Sequence, residues 1–297
     1  MGNEHGHSPH AHSDPPGGGS WADMAEELVA DAELLAPVRD QALAILHRQL
    51  AGRTVVRVLD LGCGPGVTTV ALAQSFPEAV VTAADGSEEL LHLTQRRAAA
   101  AGVADRVTTV RADIEGETAS GPGPYDVVWA SMVLHHLADL GDVLRRLRAA
   151  MSPGGWLALI EFGGPLSILP AEDQVIASGA WGRFTAASRE ALGHHLPHGH
   201  IDDWPARLAA AGYVEVSQQE CFLDRPAPLG HGERTWLLHR LGRERQSVAE
   251  RLSADDMTTI DALLDPSAAT GILCRADVHL RVGRLVLTAQ RPAATEG

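Results

Sequence analysis

Residues 58–66 of this 297-residue chain, Val-Leu-Asp-Leu-Gly-Cys-Gly-Pro-Gly, hold its most chemically suggestive spacing. An apolar, strand-like run carries Asp60 near its end. The backbone then turns through Gly62, Cys63, Gly64 and Gly66 toward a helix. Glycine permits positive φ and close approach of backbone to a ligand, so the run points to a nucleoside-type cofactor site. The dinucleotide fingerprint G-x-G-x-x-G seats a pyrophosphate on a helix N-terminus. Here the third glycine comes one residue early, and no hydride-transfer constellation is recognisable, which disfavours an NAD-dependent oxidoreductase. A second strand-like run, residues 79–84, ends at Asp85, where doubly wound folds place the carboxylate that holds both ribose hydroxyls. A carboxylate only accepts hydrogen bonds, which suits a diol. Asp85 could instead serve the next helix, because Ser87-Glu88-Glu89 is itself a helix-start signal.

Further runs follow in order. Residues 106–112 read as a third strand, followed by Asp113 and Ile114. Residues 125–131 form a fourth apolar run ending at Ser131, and Met132-Val133-Leu134-His135-His136-Leu137 comes next. A helix over residues 139–151 leads to Ser152-Pro153-Gly154-Gly155, a turn ahead of a fifth strand that ends near Glu161. This succession resembles the class I S-adenosylmethionine (SAM)-dependent methyltransferases, of the small-molecule or natural-product type. The resemblance implies that the turn from Asp60 through Gly62, Cys63, Gly64 and Gly66 meets the amino-acid end of SAM. It further implies that Asp85 binds the ribose, that Asp113 accepts from the adenine amino group, and that Ser131 lies at the cofactor. Members usually follow the ribose acid with a bulky apolar residue that covers adenine. This chain has Gly86 there, leaving Ile114 to cover that face.

The same resemblance places His135 and His136 beside the transferable methyl. Only one can point inward. His135 is favoured as proton acceptor, with local turn packing as the alternative for both, and Glu161 is a second candidate. Transfer needs a base only if the acceptor must lose a proton. Trp21, Met24, Trp181, Arg183, His194 and His195 are candidate walls of the acceptor pocket, with ordinary packing the competing reading. The cluster of His194, His195, His198 and His200 lacks a metal-site spacing, since Pro197 and Gly199 spoil the helix that would align it. No metal is expected.

These residues need elements to hold them. Alternation of strand and helix predicts an α/β fold: a doubly wound, Rossmann-like, seven-stranded, mostly parallel sheet with helices on both faces, plus helical cap or lid insertions. The expected organisation begins with a disordered tail rich in His, Gly and Pro at 1–19, then an N-terminal helical cap at 20–52. A SAM-binding core follows at 53–162, and a cap insertion at 163–203. The C-terminal part of the core, 204–297, carries a helical insertion at about 226–270. Strands six and seven are expected near 214–223 and 278–290.

Bulk properties narrow the function. The chain has 24 basic and 38 acidic residues, a formal charge of -14, which repels a phosphate backbone and disfavours nucleic-acid partners. It contains no lysine, which excludes Schiff-base chemistry. Its three cysteines are widely spaced and suggest neither a disulfide framework nor a zinc site. No apolar run is long enough for a membrane helix. The expectation is a cytoplasmic enzyme that moves a methyl group from SAM to an O- or N-nucleophile of a small molecule, in secondary-metabolite or antibiotic biosynthesis. The alternative keeps the SAM fold without methyl transfer, as a cyclase, a rearrangement catalyst or a structural partner. The oligomeric state is left open, a homodimer included.

Overall fold

Strand β1 (Arg57–Leu61) is buried along almost its whole length, as a parallel strand covered by helices on both faces must be. It sits inside a sheet with β2 (Val80–Asp85), β3 (Val107–Arg111), β4 (Tyr125–Ser131), β5 (Met151–Phe162), β6 (Val214–Arg225) and β7 (Leu280–Gln290). The computed structural model describes residues 21–116, 123–195 and 203–294, with the side chains of 21–23 and 194–195 outside that description. The strand order is β3-β2-β1-β4-β5-β7-β6. Pairing is parallel from β3 to β5, while β7 runs antiparallel to both β5 and β6. Strand order reverses between β1 and β4, so the ligand crevice of such a sheet opens at their carboxyl ends.

Alternation along each strand splits the core in two. Val58, Val127, Trp129, Ile160 and Val286 face one side, under helices α2 (Ala36–Leu50), α3 (Val67–Ser75) and α4 (Glu88–Ala100). Leu59, Leu61, Val128, Leu157 and Leu287 face the other, under α5 (Leu140–Ala150) and α8 (Trp204–Ala210). The preceding helix α1 (Trp21–Leu34) leads into α2, where Pro37 occupies the first turn and its missing N–H costs nothing.

The two expected insertions form helices: α6 (Gln174–Ala177) and α7 (Ala180–His195) from the first, α9 (His231–Ser247) and α10 (Ala254–Leu264) from the second. They share one hydrophobic cluster, with Phe184 packed alongside Leu237, Leu241, Ile260 and Leu263. Helix α1 is tied to α9, because Trp236 Nε1 donates to Asp31 Oδ1 at 2.5 Å and Arg243 pairs with Glu27.

One expectation needs correction. Ser152-Pro153-Gly154-Gly155 is not a turn ahead of strand five but an irregular start inside β5. Pairing with β4 jumps from Tyr125–Met151 to Val127–Trp156. Gly154 sits at φ 72°, and a Cβ at Gly155 would meet the Ser152 and Tyr125 carbonyl oxygens at 2.9 and 3.0 Å. The expected tail at 1–19 and residues Pro197, His198, Gly199 and His200 lie outside the described residues.

Candidate active site

The glycine turn is held from two sides. Gly62 and Cys63 both donate their N–H groups to the Ala84 carbonyl, at 2.8 and 3.0 Å. The Gly64 carbonyl accepts from Thr94 Oγ1 on α4 at 2.9 Å. All three glycines have positive φ, 66°, 55° and 83° for Gly62, Gly64 and Gly66, which other residues adopt only with strain. Their surroundings separate their roles. A Cβ at Gly66 would meet the Thr94 Cα at 2.8 Å, so this glycine lets α4 approach the turn. A Cβ at Gly62 would lie 2.6 Å from Val133 Cγ2. Its missing side chain makes room for the segment that carries His135. Gly64 is the open position, with no atom within 4 Å of its Cβ direction.

Asp60 is fully enclosed and accepts from Thr69 Oγ1 at 2.6 Å. Burial pushes it up to about 7, the Thr69 bond opposes this, and the nearby Asp85 charge adds to it. It braces the turn from within. Burial also raises the Cys63 thiol far above its ordinary range, so it stays protonated and is no nucleophile. Asp85 accepts from Gly64 N and Ser87 N, both at 2.9 Å, one on each carboxylate oxygen. Burial raises it, and hydrogen bonds from the Ser87, Gly64 and Gly86 backbone oppose the shift. The capping role of this stretch belongs to Ser87, whose Oγ accepts from Leu90 N. A carboxylate has about four acceptor positions, so both Asp85 oxygens keep capacity for a ribose diol. The open Gly64 backbone and this spare capacity fit the nucleoside and amino-acid ends of SAM.

Ala112 N donates to the Asp85 carbonyl at 3.0 Å, which brings Asp113 and Ile114 to the carboxyl end of β2. Asp113 is exposed, and its Oδ1 accepts from Glu115 N at 3.0 Å. Ile114 is half-buried against the core. Gly86 and Ser131 are half-buried at the ends of β2 and β4.

After β4 the chain bends at Met132, a non-glycine residue at φ 56° whose N–H donates to the Ile160 carbonyl at 2.8 Å. This bend delivers a short 3-10 turn, Leu134–His136. Within it, His135 is 4% exposed and Glu161, on β5, is 1% exposed. His135 Nδ1 and Glu161 Oε2 lie 2.5 Å apart, and the other Glu161 oxygen accepts from Leu134 N at 3.2 Å. Two separate base candidates thus form one unit. With the Glu161 oxygen as acceptor, Nδ1 is the donor and Nε2 is the nitrogen left to accept. The Phe162 and His136 rings flank His135 at 4.6 and 4.1 Å. His136 itself is exposed.

The wall candidates fare differently. Trp181 is buried against Phe184, with ring centroids 5.6 Å apart, so it is cap core and not pocket lining. Arg183 is a strut: Nε and an Nη donate to Asp256 at 2.9 and 2.7 Å, joining α7 to α10. For both, packing within the helical insertions is the reading the contacts favour. Met24 is half-buried on α1. Trp21 begins α1, and His194 and His195 end α7, with side chains outside the described set. Among the described residues no group of histidine, cysteine or acidic side chains could hold a metal ion, and two surface hollows, at 246–251 and 47–78, lie away from the glycine turn.

Sequence reasoning missed Thr69 and Thr94, which brace the turn, and Arg284, a buried cation on β7. Arg284 had a visible signal. It sits in a row of alternate residues with Val282 and Val286, where a strand turns one face to the core.

A family model described as a methyltransferase domain matches residues 59–157, from β1 into β5. A ubiquinone biosynthesis O-methyltransferase of Caulobacter sp. (strain K31) is 35% identical over 136 residues, covering 44% of this chain and 52% of that protein. A 27-O-demethylrifamycin SV methyltransferase of Amycolatopsis mediterranei (strain S699) is 36% identical over 127 residues, covering 41% of this chain and 46% of that protein. The chain therefore spans about half the length of these curated relatives. The crystal structure of the YcgJ protein from Bacillus subtilis shares the fold, with a TM-score of 0.52 at 17% identity over 86% of this chain and 100% of that one. The matched segment contains the glycine turn, Asp85, Asp113 and His135. Residues 59–157 therefore carry a methyltransferase domain, similar in sequence to class I SAM-dependent enzymes, and S-adenosyl-L-methionine is the cofactor such a domain takes.

Proposed function

We propose that this protein methylates an oxygen or nitrogen nucleophile of a small molecule, with His135 as the group that takes the nucleophile's proton. The observation that carries this reading is the buried His135–Glu161 pair at the carboxyl ends of β4 and β5. A base held by an orienting partner, with its second nitrogen free to accept, is the arrangement general-base catalysis needs. Val133 packs at the Gly62 backbone, so the histidine segment is positioned directly against the cofactor turn.

When bound, SAM supplies an electrophilic methyl and leaves as S-adenosylhomocysteine. The chain's own residues do the rest. Asp85 and the Gly64 backbone hold the nucleoside and amino-acid ends, Ile114 and Asp113 border the adenine, and Asp60 keeps the turn in place. His135 Nε2 takes the acceptor proton, and Glu161 stabilises the resulting imidazolium through Nδ1. The cap from α1, α7, α9 and α10 excludes water.

The names of relatives support an O-nucleophile, since they act in ubiquinone biosynthesis and on a demethylrifamycin. The net negative charge supports a small acceptor over a nucleic acid. A role in natural-product biosynthesis is part of the proposal, as is a cytoplasmic location. Among the described residues no helix is long and apolar enough to cross a membrane.

The test is incubation with SAM and a panel of phenolic, amine and carboxylic acceptors, following S-adenosylhomocysteine and methylated product together. Equimolar formation of both supports methyl transfer. SAM binding with product rearrangement but no S-adenosylhomocysteine would instead support the cyclase reading.

A further inference from the structure

Arg284 projects from β7, paired in register with Phe162 at the carboxyl end of β5. It is 6% exposed. Its guanidinium donates one hydrogen bond, from an Nη to the neighbouring Gly283 carbonyl at 3.0 Å, and its Nε is buried with no partner. Among the described residues no carboxylate lies within ion-pair distance of it. The nearby acids are already engaged, Glu161 with His135 and Leu134, and Asp31 with Trp236. A second cation, Arg240, lies close enough to repel it. Burial and that repulsion lower Arg284 only to about 10, with Asp31 and Glu161 opposing, so it remains charged at neutral pH. Burying a guanidinium without a counter-ion is unfavourable, and an orphaned buried donor calls for a ligand.

The position shows which ligand. Arg284 stands 6.0 Å from the Phe162 ring centroid, and that ring lies 4.6 Å from His135. In the sheet β7 is three strands from β1, roughly 14 Å at the usual strand spacing. The amino-acid tail of SAM belongs to the turn after β1, so the cation is on the acceptor side.

We propose that Arg284 is an anion anchor for the methyl acceptor: the acceptor carries a carboxylate that pairs with Arg284 while its nucleophile faces His135. This rests on the methyltransferase reading and adds to it the chemical class of the substrate. Planar donors in a fixed fork suit a carboxylate.

The test uses the full chain saturated with S-adenosylhomocysteine and a panel of acids paired with their primary amides: benzoate, 4-hydroxybenzoate, 3,4-dihydroxybenzoate, cinnamate and succinate. Thermal shift followed by calorimetry should find at least one acid bound at least ten-fold more tightly than its amide. Arg284→Met should abolish that preference, Arg284→Lys should keep part of it, and S-adenosylhomocysteine affinity should stay within two-fold in both. Because Arg284→Met removes an unpaired buried charge, its ligand-free melting temperature should equal or exceed that of the wild type. The proposal is overturned if no acid beats its amide, or if the preference survives in Arg284→Met. It is also overturned if that variant loses S-adenosylhomocysteine affinity, which would assign Arg284 to the cofactor's own carboxylate. Failure of the wild type to bind S-adenosylhomocysteine at all would refute the functional reading instead, and is measured first.

Discussion

Replacing Asp60 by asparagine should remove a large part of the pH dependence of stability. In the folded chain burial pushes Asp60 up to about 7, whereas an unfolded aspartate titrates near 3.9. Between those values the folded state holds the proton that the unfolded state has lost. Stability therefore falls as pH rises from about 4 to 7 and levels off above that. Integrating the two titrations gives a penalty of about 1–2 kcal/mol at pH 5 and about 4 kcal/mol at pH 8. The change across that interval, about 2–3 kcal/mol, is a sizeable share of a typical total stability of about 5–15 kcal/mol. The asparagine side chain would keep an oxygen for Thr69 and carry no charge. Urea unfolding at pH 5, 6, 7 and 8 without cofactor would measure both proteins. The wild type should lose about 2–3 kcal/mol relative to Asp60→Asn between pH 5 and 8, while titrating groups remote from Asp60 cancel in the difference. Parallel curves for the two proteins would show that Asp60 is already ionised at pH 5, and the account of the turn's interior would fail.

Other expectations follow from the same geometry. Asp85→Ala removes a charged acceptor from the ribose and from Gly64 N, so S-adenosylhomocysteine affinity by calorimetry should fall by about 1.5–3 kcal/mol; unchanged affinity would reassign Asp85 to the helix start alone. Gly66→Ala places a Cβ 2.8 Å from the Thr94 Cα at φ 83° and should cost about 1–3 kcal/mol in denaturant unfolding. Gly64→Ala, with open space around it, should cost less stability but weaken cofactor binding, and the reverse ranking would contradict the division of roles among the glycines. With an acceptor that must lose a proton, His135→Ala should lower kcat about 10²–10⁴-fold without changing S-adenosylhomocysteine affinity, and the loss should shrink as assay pH nears the acceptor's own pKa. Glu161→Gln should lower kcat less and leave the chain folded. Full activity in His135→Ala would leave proximity and desolvation to account for the rate.

Sequence was most informative where the chemistry is local. Residues 125–131 are apolar between a Gly-Pro and the bend at Met132, and β4 has those bounds. The glycine spacing located the turn, because positive φ is a property of single residues. Asp85 and Asp113 follow from the strand ends they terminate. Contacts across the chain were not legible. Gly62 meets Val133 through the β1–β4 pairing, and His135 meets a carboxylate 26 residues away through the β4–β5 pairing. Trp181 and Arg183 are candidate pocket walls or ordinary packing from sequence, which does not show what covers them. The cover is α10, whose Asp256 lies 73 residues beyond Arg183. The start of β5 was misplaced because Pro-Gly-Gly reads as a turn, whereas the register shift absorbs those residues within the strand.

The place of β7 has a consequence for how the chain acquires its shape during synthesis. In the sheet it lies between β5 and β6, so β6 finds its only described neighbour some 55 residues after it is made. A nascent chain that ends within α10 has an unpaired β6, and it lacks Val282 and Val286, against which the α2 face packs. Most of the cofactor turn and its supporting strands precede that point, so a Rossmann-like half can form early while the cap waits. Closure over long sequence separations slows folding, and an open strand edge in the interim invites pairing with other chains. Expression at lower temperature, or with chaperones that shield strand edges, should therefore raise soluble yield more than changes to the surface would.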